Sequence, residues 1–533
     1  MTDLPHHEGL VGLLRHLGDS SFVPPGLYFL NLGHPNQLFY FAAWPLSYLF
    51  GTDTACRLIV ALSQLGIMVF AGRLARHLGR STWPALLVAP LALGWIFFWG
   101  LVTNLLGIAV LLAVLPPLDR YANAPTGRRA ASMAGVVVLL YFAHESAMMI
   151  GLVASLVFAL GHPLRGRQAA LRFFPVVFGV GLSLAQKVFQ AHLFTATQSL
   201  ATTYGTPWAK LIGIPNVLVG SHDASAKYML AGLAFGGMLA FAMDRRRGES
   251  SGEEGSSSLA EEPRERGFTP FVHHFRFELF GALMFTAYLL VPHGFHGVTM
   301  LNGRFFGPAY AVLAVSSAPK IGERVGLVAR ALAVALPISV LLLVWPQFID
   351  SDRCYRDLDV ILARIGKGAS VALVEMGMPV ARPVRVFSAS AGGARALAVK
   401  GGRGLYPFVR SPIAPVMQSK AYLWDEVDTR LIDTMSFRPS YDLHRFRYVI
   451  MHSQDPKILM AGSLAMLPEA RVVESAGEWV LMESTLEQVP LLSGNGAPPL
   501  ASDKTMHKRV TDLIKGLQTA PKASAEKLTP AAP

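Results

Sequence analysis

The sequence predicts an α-helical polytopic membrane protein, with about 9–11 transmembrane or re-entrant helices and a small C-terminal extracytoplasmic α/β domain. Composition is the first reason: 52% of the 533 residues are hydrophobic, 15% are charged and mean hydropathy is +0.40, more apolar surface than a water-soluble core can hide. The second is arrangement, because long apolar runs recur from residue 55 and stop at Trp345. Beyond Trp345 short runs of strand length replace them, which is the third.

The runs fall near 55–72, 82–100, 101–118, 131–160, 173–190, 226–243, 276–292, 304–319 and 325–346. A full crossing takes about 20 helical residues, so several of these are short or tilted spans. Five basic clusters lie between them: Arg73, Arg76 and Arg80; Arg120, Arg128 and Arg129; Arg165, Arg167 and Arg172; Arg245 to Arg247; and Lys320 with Arg324. The positive-inside rule places all five in the cytoplasm. Consecutive basic loops must be joined by an even number of crossings, so 82–118 reads as a helical hairpin that turns outside near Trp99 to Asn104. The same alternation leaves the loops 191–225 and 293–303 and everything after Trp345 outside, in a multi-pass protein of a bacterial inner membrane. Residues 244–268, rich in Ser, Gly and Glu, read as a flexible cytoplasmic linker.

The run 131–160 breaks this pattern, since 30 residues are too few for two full spans. It reads as two half-helices meeting at His144 and Glu145, an ionisable pair that is costly at bilayer depth. The pair either caps a broken helix or serves a working interior, and an outward-facing, hydrated tip suits both.

If 55–72 runs inward, residues 1–54 begin outside, although no apolar span precedes them. Residues 38–50 are apolar, aromatic and short, and read as a helix lying at the outer interface. A first transmembrane helix encoded upstream of Met1 is the expectation that follows.

The net charge of +12 resides in short loops and forms no basic stripe with interleaved aromatics, which excludes nucleic acid as a partner. Cys56 and Cys354, the two cysteines, are too few for a disulfide framework or a cysteine metal cluster, and they could pair only if both faced the exterior. GxxxxGK[ST], GxSxG and HExxH motifs are absent, against an ATP-driven pump, an α/β-hydrolase or a zincin.

Four segments carry a family resemblance: the acidic stretch DLPHHEG (Asp3 to Gly9), the Pro-containing GHPNQLFYFAAWPLSYLFG, the helix opening ACRLIVALSQLG, and the Arg-bearing helix start NGRFFGPAY. With the hairpins and the terminal exterior domain, their order resembles the GT-C-type membrane glycosyltransferases, at the level of architecture. The resemblance implies a carboxylate in the first exterior loop that serves sugar transfer, and a donor sugar carried on a polyprenyl phosphate. Here the initial helix of that family is absent, so the presentation of Asp3 departs from its pattern.

The residues suit that chemistry independently, because transfer needs a base for the acceptor hydroxyl and a cation for the leaving phosphate. Asp3, Glu8 and Glu145 are the candidate catalytic carboxylates. Arg304, at a predicted exterior helix start, is the candidate phosphate ligand, with His144, Asn36, Asn104, His293 and His296 as further substrate-binding candidates. Each has a structural alternative: a solvated N-terminus for Asp3, a snorkelling anchor for Arg304, turns or caps for the asparagines. Adjacent His6 and His7 point in different directions on regular structure, so no metal ligands are assigned; a divalent metal is neither required nor excluded. His222 and Asp223 are ambiguous, and His273 and His274 fall on the cytoplasmic side.

Beyond the membrane region, ASVALVEM (369–376), RPVRVF (382–387), RYVIMH (447–452) and EWVLME (478–483) read as strands of an α/β domain over 347–485. Residues 486–533 read as a disordered tail. With 1–54 as an exterior loop and 55–346 as the membrane domain, the expected function is a membrane glycosyltransferase at the exterior face, moving a sugar from a polyprenyl-phosphate donor to a cell-envelope glycan or lipid acceptor. The alternatives are a transporter or flippase of lipid-linked substrates and a non-catalytic envelope assembly protein.

Overall fold

The computed structural model describes residues 3–163, 165–191, 202–220, 224–253, 268–294, 300–375, 390–404, 407–419, 422, 436–453, 467–489 and 508. The chain divides into two compact units, one built on Asn31–Phe348 with the chain start up to Leu4, the other on Pro5–Leu30 and the residues from Ile349 onward.

In chain order the helices are α1 (Leu4–His16), α2 (Leu38–Phe50), α3 (Thr52–His77), α4 (Ala89–Leu93), α5 (Trp95–Phe98) and α6 (Val102–Asn123). Next come α7 (Gly127–Ala143), α8 (Glu145–Leu160), α9 (Gly166–Arg172), α10 (Phe174–Ala191), α11 (Pro207–Ile212) and α12 (Ile214–Val219). The described series ends with α13 (Ala224–Glu253), α14 (Phe268–Leu290), α15 (Gly303–Ser316), α16 (Leu327–Leu362), α17 (Ser390–Lys400) and α18 (Pro439–Asp442).

The first unit is helical and apolar throughout. Among the described residues four helices are long and apolar enough to cross a bilayer, α3, α6, α13 and α16, and α9 with α10 make a fifth if the pair, bent by 42°, is one span. The remaining apolar runs are helical but interrupted. Run 82–100 is divided by Pro84, Pro90 and Gly94 into a 3-10 turn, α4 and α5. Run 131–160 is divided at His144, whose extended backbone (φ −168°, ψ 136°) ends α7 and begins α8. At 17 and 16 residues these two helices are about 25 Å long each, close to a bilayer core. They fold back on one another: a Cβ at Gly151 of α8 would lie 2.7 Å from Leu140 of α7. The expected turn after Trp99 is present and rests on Gly100, whose φ of +74° a side chain would resist.

Two expected boundaries shift. Helix α13 continues through the charged residues to Glu253, so the first part of the expected linker is helical, and residues 254–267 lie outside the described residues. The first 54 residues are more than an exterior loop with one helix, because α1 buries Leu10, Val11, Leu13 and Leu14 in the second unit. Gly12 allows this docking: a Cβ there would stand 2.6 Å from the Ala398 carbonyl oxygen of α17.

The second unit is α/β. Its strands are β1 (Tyr28–Leu30), β2 (Ser370–Glu375), β3 (Arg403–Gly404), β4 (Val416–Gln418), β5 (Tyr448–His452), β6 (Ala470–Ala476) and β7 (Trp479–Ser484). Strands β1 and β4 form an antiparallel ribbon, and the others a five-stranded mixed sheet of order β3-β2-β5-β7-β6. Strand alternation makes both faces apolar: Val371, Leu373, Ile450 and Leu481 pack with Leu358, Ile361 and Ala396, while Ala372, Val374, Val449, Met451 and Val480 pack with Phe437, Leu443 and Phe446. Three of the four predicted strands are thus β2, β5 and β7; the fourth, 382–387, lies outside the described residues.

Candidate functional site

The break between α7 and α8 is built by hydrogen bonds that a continuous helix would not need. Asn36, held at φ +66°, accepts the Glu145 amide with its Oδ1 at 2.7 Å and so caps α8. Its own loop is fixed by Gln37, whose Oε1 accepts from the amides of Gly33 (2.9 Å) and His34 (3.2 Å), and by the Tyr141 hydroxyl, which donates to the Gly33 carbonyl (3.1 Å). Asn36 is therefore a cap, not a direct sugar ligand through that oxygen.

His144 is buried, and its Nδ1 accepts from the Ser146 amide at 3.1 Å and lies 2.7 Å from the Ser146 hydroxyl. Nδ1 is thus the acceptor nitrogen, and a neutral ring carries its proton on Nε2. Asn104, in the first turn of α6, donates from Nδ2 to the same Ser146 hydroxyl at 3.1 Å. The chain Asn104–Ser146–His144 fixes the imidazole as an Nε2–H donor. Gly107 lets the ring lie this close, since a Cβ there would stand 2.5 Å from that of His144.

Arg304, in the first turn of α15, lies within Coulombic range of both His144 and Glu145. Its Nε is buried without a hydrogen-bond partner among the described residues, and so is Asn104 Oδ1. Glu145 is exposed. His293 Nδ1 meets Asn302 Oδ1 at 3.2 Å, beside the start of α15. An oriented imidazole, a carboxylate and the Asn104 amide therefore stand at one helix break, with Arg304 within Coulombic range of the first two.

Asp3 joins the same unit at the start of α6, because a Cβ on Gly100 would come within 2.4 Å of the Asp3 amide nitrogen. Burial pushes the Asp3 carboxyl up to about 6.

The other sequence candidates separate from this group. Glu8 belongs to the second unit, where it is buried and pairs with Arg395 (Oε2 to Nη1, 3.1 Å), which also forms a two-pronged pair with Asp359 at 2.8 Å. Its position one turn into the buried face of α1, rather than in a solvated loop, gives it this partner. His296, His222 and Asp223 lie outside the described residues. Ser146, the hinge of the hydrogen-bond chain, had no sequence signal beyond its place next to His144-Glu145.

Sequence reasoning also missed a second polar group at the far end of α6. Asp119 is buried there, with one carboxylate oxygen 2.8 Å from His77 Nε2 and both oxygens accepting from Arg276. Its place at the edge of a basic loop concealed it.

Together the helices, the polar break and the mixed sheet define a multi-pass membrane protein with an α/β domain. No family model matches the chain, and no curated protein does. Solved structures similar to it include two of ArnT from Cupriavidus metallidurans. The apo form has 11% identity and a TM-score of 0.48 over 90% of this chain and 93% of that one. The form bound to undecaprenyl phosphate has 13% identity and a TM-score of 0.49 over 93% and 95%. The likeness lies in the overall course of the chain and supplies no residue correspondence.

Proposed function

We propose that this protein is a membrane glycosyltransferase that takes its sugar from a polyprenyl-phosphate donor. The observation that carries the reading is the partnerless buried Nε of Arg304 beside His144 and Glu145. A guanidinium lacking its acceptor in a desolvated site suits a phosphate oxygen, and the Nε2–H of His144 supplies a second donor. Undecaprenyl phosphate, the ligand of one of the similar structures, is of the proposed class.

In this reading the donor phosphate lies against Arg304 and His144, which bind the charge that grows as the sugar–phosphate bond breaks. A carboxylate, Asp3 or Glu145, takes the proton from the acceptor hydroxyl as that oxygen attacks the anomeric carbon. Asn104 Oδ1 accepts from a sugar hydroxyl. His293 and His296 are further candidates for substrate binding, and the acceptor is an envelope glycan or lipid.

The charge rule supports an exterior orientation for this end of the unit. Arg76, Arg80, Arg324 and Arg330 line one cavity of about 440 Å³, and Arg76 precedes His77, which meets Asp119 at the opposite end of α6 from Asn104. Residues beyond the membrane region then lie outside the cytoplasm of a bacterial inner membrane.

The test is transfer from a purified polyprenyl-phosphate-linked sugar by the protein in detergent. Arg304→Ala is expected to lower turnover about 100-fold or more while the folded yield is kept, and Arg304→Lys to recover little of it. Unchanged turnover in Arg304→Ala would reduce this residue to an interfacial anchor.

A further inference from the structure

Three side chains of the second unit converge from separate elements. Cys354 comes from the C-terminal half of α16, His452 ends β5, and Glu478 stands in the turn between β6 and β7. Their donor atoms all lie within 4.8 Å of one another, with His452 Nε2 3.2 Å and Cys354 Sγ 4.0 Å from Glu478 Oε2. A point equidistant from three atoms so spaced is no more than about 2.4 Å from each, close to the 2.0–2.3 Å of zinc bonds to oxygen, nitrogen and sulfur.

The surroundings hold the three in place. Trp479 is fully buried, donates from Nε1 to the Cys354 carbonyl at 3.1 Å, and has its ring centroid 4.4 Å from that of His452. Gly477, at φ +55°, brings the turn against α16 so closely that a Cβ there would stand 2.1 Å from Asp357 Oδ2. Asp357 is one helical turn beyond Cys354 and adds a second carboxylate on that face.

We propose that Cys354, His452 and Glu478 form a divalent-metal site of zinc type, with a fourth position open to solvent or Asp357. The cysteine count excludes a site made of cysteines alone, but a mixed sulfur, nitrogen and oxygen set needs only one. Zinc is favoured over magnesium or calcium because a thiolate and an imidazole are poor ligands for hard cations. Binding replaces the Cys354 S–H bond with an S–metal bond and releases that proton to solvent, while the neutral His452 changes tautomer: the Nε2 proton, which faces Glu478 in the metal-free protein, leaves to solvent and Nδ1 takes one up, freeing the Nε2 lone pair for the metal. The three residues belong to the second unit and none of them is assigned to sugar transfer, so the proposal stands whether or not that assignment does.

The test uses full-length protein in detergent, stripped with chelator and titrated with Co²⁺. One equivalent should give thiolate-to-cobalt charge-transfer absorption in the near ultraviolet, and Zn²⁺ should displace it. Cys56 is fully buried in α3, so Cys354 is the accessible thiolate. Cys354→Ser should abolish the band, and Glu478→Gln, which keeps shape and thiolate, should weaken Zn²⁺ binding at least about tenfold. Absence of the band in the wild type, its persistence in Cys354→Ser, or unchanged Zn²⁺ affinity in Glu478→Gln would overturn the proposal.

Discussion

Asn36 Oδ1 accepts the Glu145 amide at 2.7 Å, joining a loop before α2 to the first residue of α8. The bond is made possible by a left-handed backbone at Asn36, a conformation that asparagine tolerates better than most residues. It fixes where α8 begins and therefore where His144 stands.

Replacing Asn36 by glycine keeps the backbone and removes the cap. Asn36→Gly is expected to destabilise the protein by about 1 kcal/mol and to lower transfer activity with it. Asn36→Ala adds left-handed strain and should be worse. Thermal unfolding of both variants in detergent checks the order; equal stability of wild type and Asn36→Gly would remove the cap's importance.

Asp3 sets a pH dependence. With its carboxyl raised to about 6 by burial, the fraction able to act as base falls about tenfold per pH unit below that value and levels off above it. For folding the sign is opposite: the raised value favours the folded, protonated form, a contribution present below the unfolded value of 3.8 and lost as pH rises through about 6. A pH–rate profile should show the rising limb, and Asp3→Asn should abolish most activity. If Asp3→Asn retains both the limb and the activity, Asp3 is not the base.

His6 and His7 work in the other direction. Burial lowers His6 to about 4 and His7 to about 3, the latter helped by His6. Unfolded chains bind the proton from pH 6.5 downward, so the stability of the second unit is full above 6.5 and falls as pH drops toward 4. His6 stacks on Phe408 with ring centroids 4.9 Å apart, so acid should release α1. Limited proteolysis near α1 at pH 7 and pH 5 measures this, and equal cleavage rates at the two values would refute it.

Glu8→Gln tests the separation of Glu8 from the chemistry. The amide removes the negative charge that faces the Arg395 guanidinium while keeping an acceptor oxygen, at an expected cost of about 1–3 kcal/mol. Turnover per folded molecule should be unchanged. A large fall in turnover without a fall in stability would return Glu8 to the catalytic set.

What the sequence revealed follows from how local each signal is. The break at His144 was legible because an ionisable pair interrupts an apolar run, and β2, β5 and β7 because strand-length apolar runs stand between turn residues. Asn104, Glu145 and Arg304 became candidates because charge alternation along the chain put all three at expected exterior ends. The buried ion pair of Glu8 was not legible because its partner is 387 residues away and nothing nearby shows that α1 is docked. The convergence of Cys354, His452 and Glu478 was hidden for the same reason, as it needs the sheet register to bring β5 beside β7.

Helix α6 carries a polar anchor near each end, and its length between them has a mechanical meaning. From Asn104 to Asp119 the rise is about 22 Å, shorter than the roughly 30 Å of a bilayer's hydrocarbon core. With α6 centred in such a core, each anchor would stand about 4 Å inside its edge, beside Ser146 at one end and His77 and Arg276 at the other. A thicker bilayer would have to thin locally or tilt the helix, and either adjustment reaches both anchors at once. Acyl-chain length thus becomes a variable that can set the placement of His144 against Arg304, with the lipid acting as a dimensional gauge for the site.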